Sequence, residues 1–318
     1  MSSMRQIARG NTLIQSLLAI DRSRFYRSHL VRINLQARRD LLCAQQPPQE
    51  SAVARAFIVG CGRSGTTILG SVMSDHVDVT YDYEPQGRWA MVDSRTDIWK
   101  KFYPWRSGSL LGVGDVDLRA KKRFARLFRS DTPIILDKSP DHVFRIGFLL
   151  GLEPRAKFIH IVRDGMEVAQ SVASLAESSY PIFGRHRLNS WWGLDDAKWQ
   201  FLCRVARSRS YLTKETTEAR SDAERGLCEW LLSLNEIRIH RALLGDGLLE
   251  MRYEDFVGDT ESSLERVASF LQLEPSKDWL ASATAAVLPQ GNRGSAPVIR
   301  SPELLRELAR ARSEYDLH

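Results

Sequence analysis

From Gly60 to Thr67 the chain reads Gly-Cys-Gly-Arg-Ser-Gly-Thr-Thr. Glycines let a backbone turn several N–H groups toward one point, Arg63 adds a cation, and Ser64, Thr66 and Thr67 add hydroxyl donors. That chemistry suits an anion at the start of a helix. The segment nearly spells the nucleoside triphosphate loop GxxxxGK[ST], but Thr66 stands where that loop carries the lysine that reaches the β and γ phosphates. Glycines alone would be equally at home in a plain tight turn; Arg63 together with Ser64-Gly65-Thr66-Thr67 favours the anion. A second cationic turn, Arg163-Asp164-Gly165, lies a hundred residues further on, with Ser171 eight positions after Arg163. Taken singly, such a tripeptide is more often a structural turn with a solvated arginine.

These groups need a scaffold, and the flanking pattern supplies one. Residues 53–59 form a short apolar run, 60–67 a small-residue loop, and 68–74 show helical spacing. Lys157–Val162, the Arg163 turn and a helical run through Leu175 repeat the unit, and residues 133–136 and 248–252 are further strand candidates. Strands alternating with helices predict an α/β fold with a parallel sheet covered on both faces. At 318 residues, 43% hydrophobic and 26% charged, the chain can bury a large core, which excludes a disordered chain or a disulfide-stapled miniprotein. Cys43, Cys61, Cys203 and Cys228 have no CxxC spacing and no paired histidines, which argues against zinc and disulfides and for a reducing compartment.

The net charge of +6 is lopsided. Residues 1–50 hold eight arginines against Asp21, Asp40 and Glu50, a net of +5, so the remainder gives no reason to invoke nucleic acid. In that leader Leu13, Ile14, Leu17, Leu18, Phe25 and Leu30 recur at mostly helical intervals between arginines. It reads as a basic amphipathic helix, either packed on the protein's own core or making peripheral membrane contact; an Arg-rich, acid-poor start also resembles an organellar transit peptide. Pro47 and Pro48 mark the linker, giving a segment 1–50 and an α/β domain 51–318. No apolar run approaches the roughly 20 residues that span a bilayer, so the expectation is a soluble, cytoplasmic protein, with membrane association the other possibility.

The Arg63-Ser64-Gly65-Thr66-Thr67 run and the Arg163…Ser171 spacing together resemble the sulfotransferase superfamily, closest to its bacterial-type and tyrosylprotein-type branches. The resemblance spans roughly residues 55 to 300 in element order and implies a P-loop-NTPase-like sheet. It also implies 3′-phosphoadenosine 5′-phosphosulfate (PAPS) as sulfuryl donor, with no metal required. On this reading Gly62, Arg63, Ser64, Gly65, Thr66 and Thr67 hold the 5′-phosphosulfate, and Arg163 and Ser171 hold the 3′-phosphate. Glu84, 21 residues after Arg63, matches the catalytic glutamate of tyrosylprotein-type relatives, with Asp82 and His76 in reserve. A carboxyl against aromatic surface can be raised toward neutrality and act as a base. Lys138, in Asp137-Lys138-Ser139-Pro140, matches a lysine that contacts the transferring group; with Arg63 it would stabilise the transition state, while Asp137 and His142 shape the turn. Tyr253, in Arg252-Tyr253-Glu254-Asp255, resembles a nucleotide-contacting tyrosine. Arg293 lies in a Gly-rich loop that carries one cation where relatives carry a fuller basic run, and is the remaining 3′-phosphate candidate.

The predicted reaction is in-line transfer of a sulfuryl group to the hydroxyl of a glycan, lipid, phenol or peptide. The alternatives are a P-loop kinase-like phosphotransferase, disfavoured by Thr66 and the lack of an evident magnesium-binding aspartate, and a non-catalytic nucleotide-binding or membrane-docking protein. Trp89, Trp99, Trp105, Trp191, Trp192 and Trp199 fall between the motifs and offer flat faces to an acceptor, or fill the core.

Overall fold

The computed structural model describes residues 54–181, 186–287 and 296–317. The segment 1–50 and Arg293 lie outside the described residues. Five strands, β1 (Ala54–Val59), β2 (Val79–Tyr83), β3 (Ile134–Lys138), β4 (Lys157–Val162) and β8 (Leu248–Arg252), make one sheet in the order β2-β3-β1-β4-β8. All four pairings are parallel. β1 shows why both faces must be covered: Phe57 and Val59 point into one apolar layer and Ala56 and Ile58 into the other. Such a strand reads as a continuous apolar run because neither face meets water.

On one side α1 (Thr66–Met73), α10 (Thr260–Leu271) and α11 (Lys277–Ala286) cover Ala56 and Ile58 through Leu69, Val72, Leu264 and Trp279. On the other side lie α2 (Gln86–Val92), α3 (Leu118–Leu127), α4 (Ile146–Leu152), α5 (Gly165–Ala176), α6 (Ala197–Arg209), α8 (Asp222–Leu244) and α12 (Pro302–Tyr315). The short helices α7 (Thr213–Glu218) and α9 (Tyr253–Gly258) complete the set. α5 and α8 pack so closely that a Cβ on Gly226 would stand 2.9 Å from Val172. A small antiparallel sheet of β5 (Ser179–Pro181), β6 (Arg187–Asn189) and β7 (Gly193–Leu194) follows α5 and carries the Trp191-Trp192 turn.

The register matters for function. Ile58, Tyr83 and Lys138 lie side by side at the carboxyl edge of β1, β2 and β3, and Val162 pairs with Arg252. The chain runs from β1 to β2 on one side and places β4 on the other, so the order reverses around β1. In open parallel sheets a ligand crevice opens at such a reversal, outside the strands' carboxyl ends. The strands expected at 53–59, 157–162 and 248–252 are present within a residue. The one expected at 133–136 runs two residues further, so Lys138 is the last residue of β3 rather than a residue beyond it.

Candidate active site

The loop after β1 is shaped by contacts that leave no room for side chains. A Cβ on Gly60 would lie 2.6 Å from the Ile161 carbonyl, one on Gly62 2.5 Å from the Trp191 ring, and one on Gly65 2.4 Å from the Tyr253 ring. Gly65 also has φ +95°, and Arg63 adopts φ +75°, a region that non-glycine residues rarely enter. Gly65 caps α1, so the first N–H groups of that helix open onto the loop. The Ser64 hydroxyl is buried and has no hydrogen-bond partner among the described residues. Thr66 is buried as the first residue of α1, whereas Thr67 is exposed.

The two distant motifs meet here. Arg63 Nε donates to Ser171 Oγ at 2.9 Å. The Arg163 guanidinium lies 4.6 Å from the centre of the Tyr253 ring, the ring that packs on Gly65. Arg163 is ion-paired with Glu167, one turn along α5. The turn that aims it is fixed from three directions. Trp230 Nε1 donates to the Arg163 carbonyl at 3.0 Å, and Asp164 caps α5 by accepting from the Met166 and Glu167 amides. Arg312 donates to Asp164 Oδ2 at 2.6 Å. Gly165 is required because a Cβ would enter the Trp230 ring at 2.7 Å.

Glu84 and Lys138 stand on neighbouring strand ends. The Glu84 amide donates to the Lys138 carbonyl at 2.8 Å, and Lys138 Nζ donates to Glu84 Oε1 at 2.5 Å. Lys138 is almost wholly buried, while the Glu84 side chain is 29% exposed and so remains in reach of solvent. Glu84 itself has φ +41°, a left-handed conformation that carries the chain off β2 into α2. Tyr83, exposed and 4.9 Å from Lys138 Nζ, links this pair to the anion loop. Its phenol is pushed up by partial burial and the adjacent Glu84 carboxylate, against the pull of Thr67 and Arg63.

Beneath the loop lies a charged layer that sequence reasoning missed. Lys198 Nζ, 1% exposed, pairs with Glu229 Oε1 at 2.7 Å and lies 3.9 Å from the Trp191 ring and 4.5 Å from Trp99. Trp191 Nε1 donates to Glu229 Oε2 at 2.8 Å, which fixes the indole under Gly62. Burial raises the Glu229 carboxyl, against the opposing pull of Lys198 and Trp191. Burial also drives the Cys61 thiol well up, with Glu229 adding to it. Lys101 also lies over Trp99, 4.3 Å from the ring centre, and donates to Gln86 Oε1 at 3.0 Å. Its ammonium is pulled down by burial and feels the Glu84 carboxylate as its strongest attraction. No local pattern announced Lys198, since a buried cation is recognisable only by the carboxylates and rings that surround it.

The reserve bases fare differently. His76 is buried past the far end of α1, ahead of β2, where its Nδ1 accepts from the Asp78 amide and its ring meets Trp279 edge-on. It therefore lies at the wrong end of α1 to serve the anion loop. Asp82 points into the opposite layer from Tyr83 and is ion-paired with Arg88. Asp137 and His142 form a buried pair at 2.9 Å, with Trp89 Nε1 donating to the other Asp137 oxygen at 2.8 Å; they do shape the β3 turn. Of the six tryptophans offered to an acceptor, five are buried and only Trp105 is largely exposed. Among the described residues no group of three His, Cys, Asp or Glu is placed to hold a metal ion, and no helix is long and apolar enough to cross a membrane.

Residues 55–207, the stretch that holds the anion loop, Glu84, Lys138, Arg163 and Ser171, match the sulfotransferase family. Two curated relatives are both named omega-hydroxy-beta-dihydromenaquinone-9 sulfotransferase Stf3, from Mycobacterium bovis and Mycobacterium tuberculosis. Each is 34% identical over 146 residues, covering 46% of this chain and 30% of the relative. The chain thus spans under a third of the length of the relatives it matches. Among solved structures, the sulfotransferase domain from the curacin biosynthetic pathway aligns over 84% of this chain and 99% of its own, at 14% identity and TM-score 0.48. Sulfotransferase STF9 from Mycobacterium avium aligns over 84% and 78%, at 12% identity and TM-score 0.48.

Proposed function

We propose that the protein transfers a sulfuryl group from PAPS to an alcohol, with Glu84 as the base. The observation that carries this reading is the 2.9 Å hydrogen bond from Arg63 to Ser171, which joins two anion-binding motifs 108 residues apart. The local chemistry fits a nucleotide with charge at both ends. Ser64 offers an unpartnered buried hydroxyl, the glycines leave a cradle that a Cβ would fill, and Arg63 and Arg163 converge on it from separate strands. The donor supplies the sulfuryl group and departs as adenosine 3′,5′-bisphosphate.

The residues divide the work. Gly62 to Thr67, with Arg63, would hold the 5′-phosphosulfate, and Arg163, Ser171 and Tyr253 the 3′-phosphate. Glu84 would take the proton from the acceptor hydroxyl as its oxygen bonds to sulfur and the bond from sulfur to the phosphate oxygen breaks. Lys138, a hydrogen bond away from Glu84, and Arg63 would meet the negative charge gathering on the sulfuryl and bridging oxygens. A kinase reading finds no support at Thr66, a buried residue with no ammonium to offer a triphosphate. For the acceptor we favour an apolar, lipid-like alcohol: the two curated relatives are named for a hydroxylated menaquinone, and Tyr83 presents an exposed ring beside Glu84.

The test is incubation of the full chain with sulfur-labelled PAPS and separate pools of lipid alcohols, glycans, phenols and peptides. Label in the lipid pool is the expected result. Label in another pool would keep the reaction and replace the acceptor, and no labelled pool despite nucleotide binding would overturn the transfer.

A further inference from the structure

α3 carries a second surface with its own chemistry. Its packed side is complete: Ala120, Phe124 and Leu127 are buried, and the Asp117 side chain caps it by accepting from the Ala120 amide. Its outer side holds a groove of about 450 Å³ lined by Leu118, Arg119, Lys122, Arg123 and Arg126. From residue 118 to 130 there are six cations and no acid. Arg119, Lys121, Lys122 and Arg126 form no ion pair with any described residue, while many other surface arginines, such as Arg95, Arg241 and Arg252, are held by carboxylates. Unpaired charge of one sign raises the local potential and attracts an anionic surface.

Aliphatic groups flank the row. Leu118, at the mouth of the groove, is 77% exposed, and Val113, in the preceding turn, is 68% exposed. Val113 also lines an adjoining groove of about 610 Å³ with Leu110, Leu150 and Leu243, the last 67% exposed. A nucleic acid backbone would satisfy the cations and gain nothing from these aliphatics. A bilayer interface takes both, with phosphates against the cations and the aliphatic groups at the acyl boundary. We propose that α3 and its flanking aliphatic residues dock the protein on an anionic phospholipid surface. The docked face connects to the site, because Arg123 donates to the Met91 carbonyl of α2 at 2.9 Å and α2 begins two residues after Glu84.

Residues 1–50 bring a net of +5 of their own, so vesicle binding alone decides nothing and variants must. The full chain is sedimented with vesicles of phosphatidylcholine, alone or mixed with phosphatidylglycerol, at low and high salt. The expected result is salt-sensitive binding to the mixed vesicles only. Each cation removed should weaken it about fivefold, so the double variant Lys122→Ala, Arg126→Ala binds about 25-fold more weakly. Leu118→Ser should weaken it as well. Both variants alter exposed side chains and should keep the rise in Tm that adenosine 3′,5′-bisphosphate gives the parent, which reports a folded chain. The proposal is overturned if both sediment like the parent, if no vesicle binds, or if Leu118→Ser is silent while a soluble polyanion such as heparin abolishes binding.

Discussion

Glu84 and Lys138 form one unit, and removing either leaves the other without its partner. Glu84→Gln should lower kcat by about 10²- to 10⁴-fold, the usual yield of general base catalysis. The rise in Tm given by adenosine 3′,5′-bisphosphate should persist in this variant, because the anion loop is untouched. Arg163 makes the opposite kind of prediction. Its guanidinium is already paired with Glu167, 44% exposed, a carboxylate that would compete with an incoming phosphate. Arg163→Ala should therefore shrink the Tm rise, whereas Glu167→Gln should tighten nucleotide binding about two- to fivefold, as a freed half-exposed pair allows; calorimetric titration distinguishes the two. At this scale the sequence was informative where chemistry is local: Arg63, Ser64 and Thr67 fall within five residues, and the interval from Arg163 to Ser171 is two helical turns. It was silent on Lys198 and Glu229, which pair across 31 residues, and on Lys101, which reaches back to Gln86 on another element.

The elements explain why the loop has its shape. β1 delivers it at the reversal of strand order, α1 gives it a helix start, and three rings or carbonyls press on its glycines. Gly65→Ala would combine a strained φ with a Cβ 2.4 Å from the Tyr253 ring. The expected cost is about 1–3 kcal/mol, read as a lower urea midpoint, together with loss of the nucleotide-induced rise in Tm. β1 and β4 were legible because they are interior strands with mostly buried apolar residues, and β8, at one edge, because Leu248, Leu249 and Met251 still make a short apolar run. β2 was not, since it lies at the sheet edge and mixes Thr80 and Asp82 with Val79, Tyr81 and Tyr83. The β5–β7 sheet escaped notice for a similar reason: its strands are two or three residues long and owe their place to Asn189, whose side chain accepts from the Trp191 and Trp192 amides.

Across the molecule, the last helix is tied to the last strand of the sheet by charge. Glu250 on β8 accepts from His160, Arg241 and Tyr315. Burial alone would raise its carboxyl, but the hydrogen bonds and charge of His160 and Arg241 outweigh that and hold it at about 2, below its ordinary value of 4.5. A depressed carboxyl stabilises the fold above its unfolded value and loses that contribution as the pH falls through the folded one. Stability should therefore decline between pH 4.5 and 2, and Glu250→Gln should flatten this part of the urea midpoint profile. Asp82, Asp97 and Glu229, each pushed up by burial, act with the opposite sign, so the difference between variant and parent isolates Glu250. The basic leader and Arg293, both prominent in the sequence, fall outside the described residues. The indole of Trp191, braced from below and standing against Gly62, has a further consequence. It places an emitting chromophore in van der Waals reach of the loop, so the fold carries a native optical gauge whose brightness is coupled to whatever the loop grips.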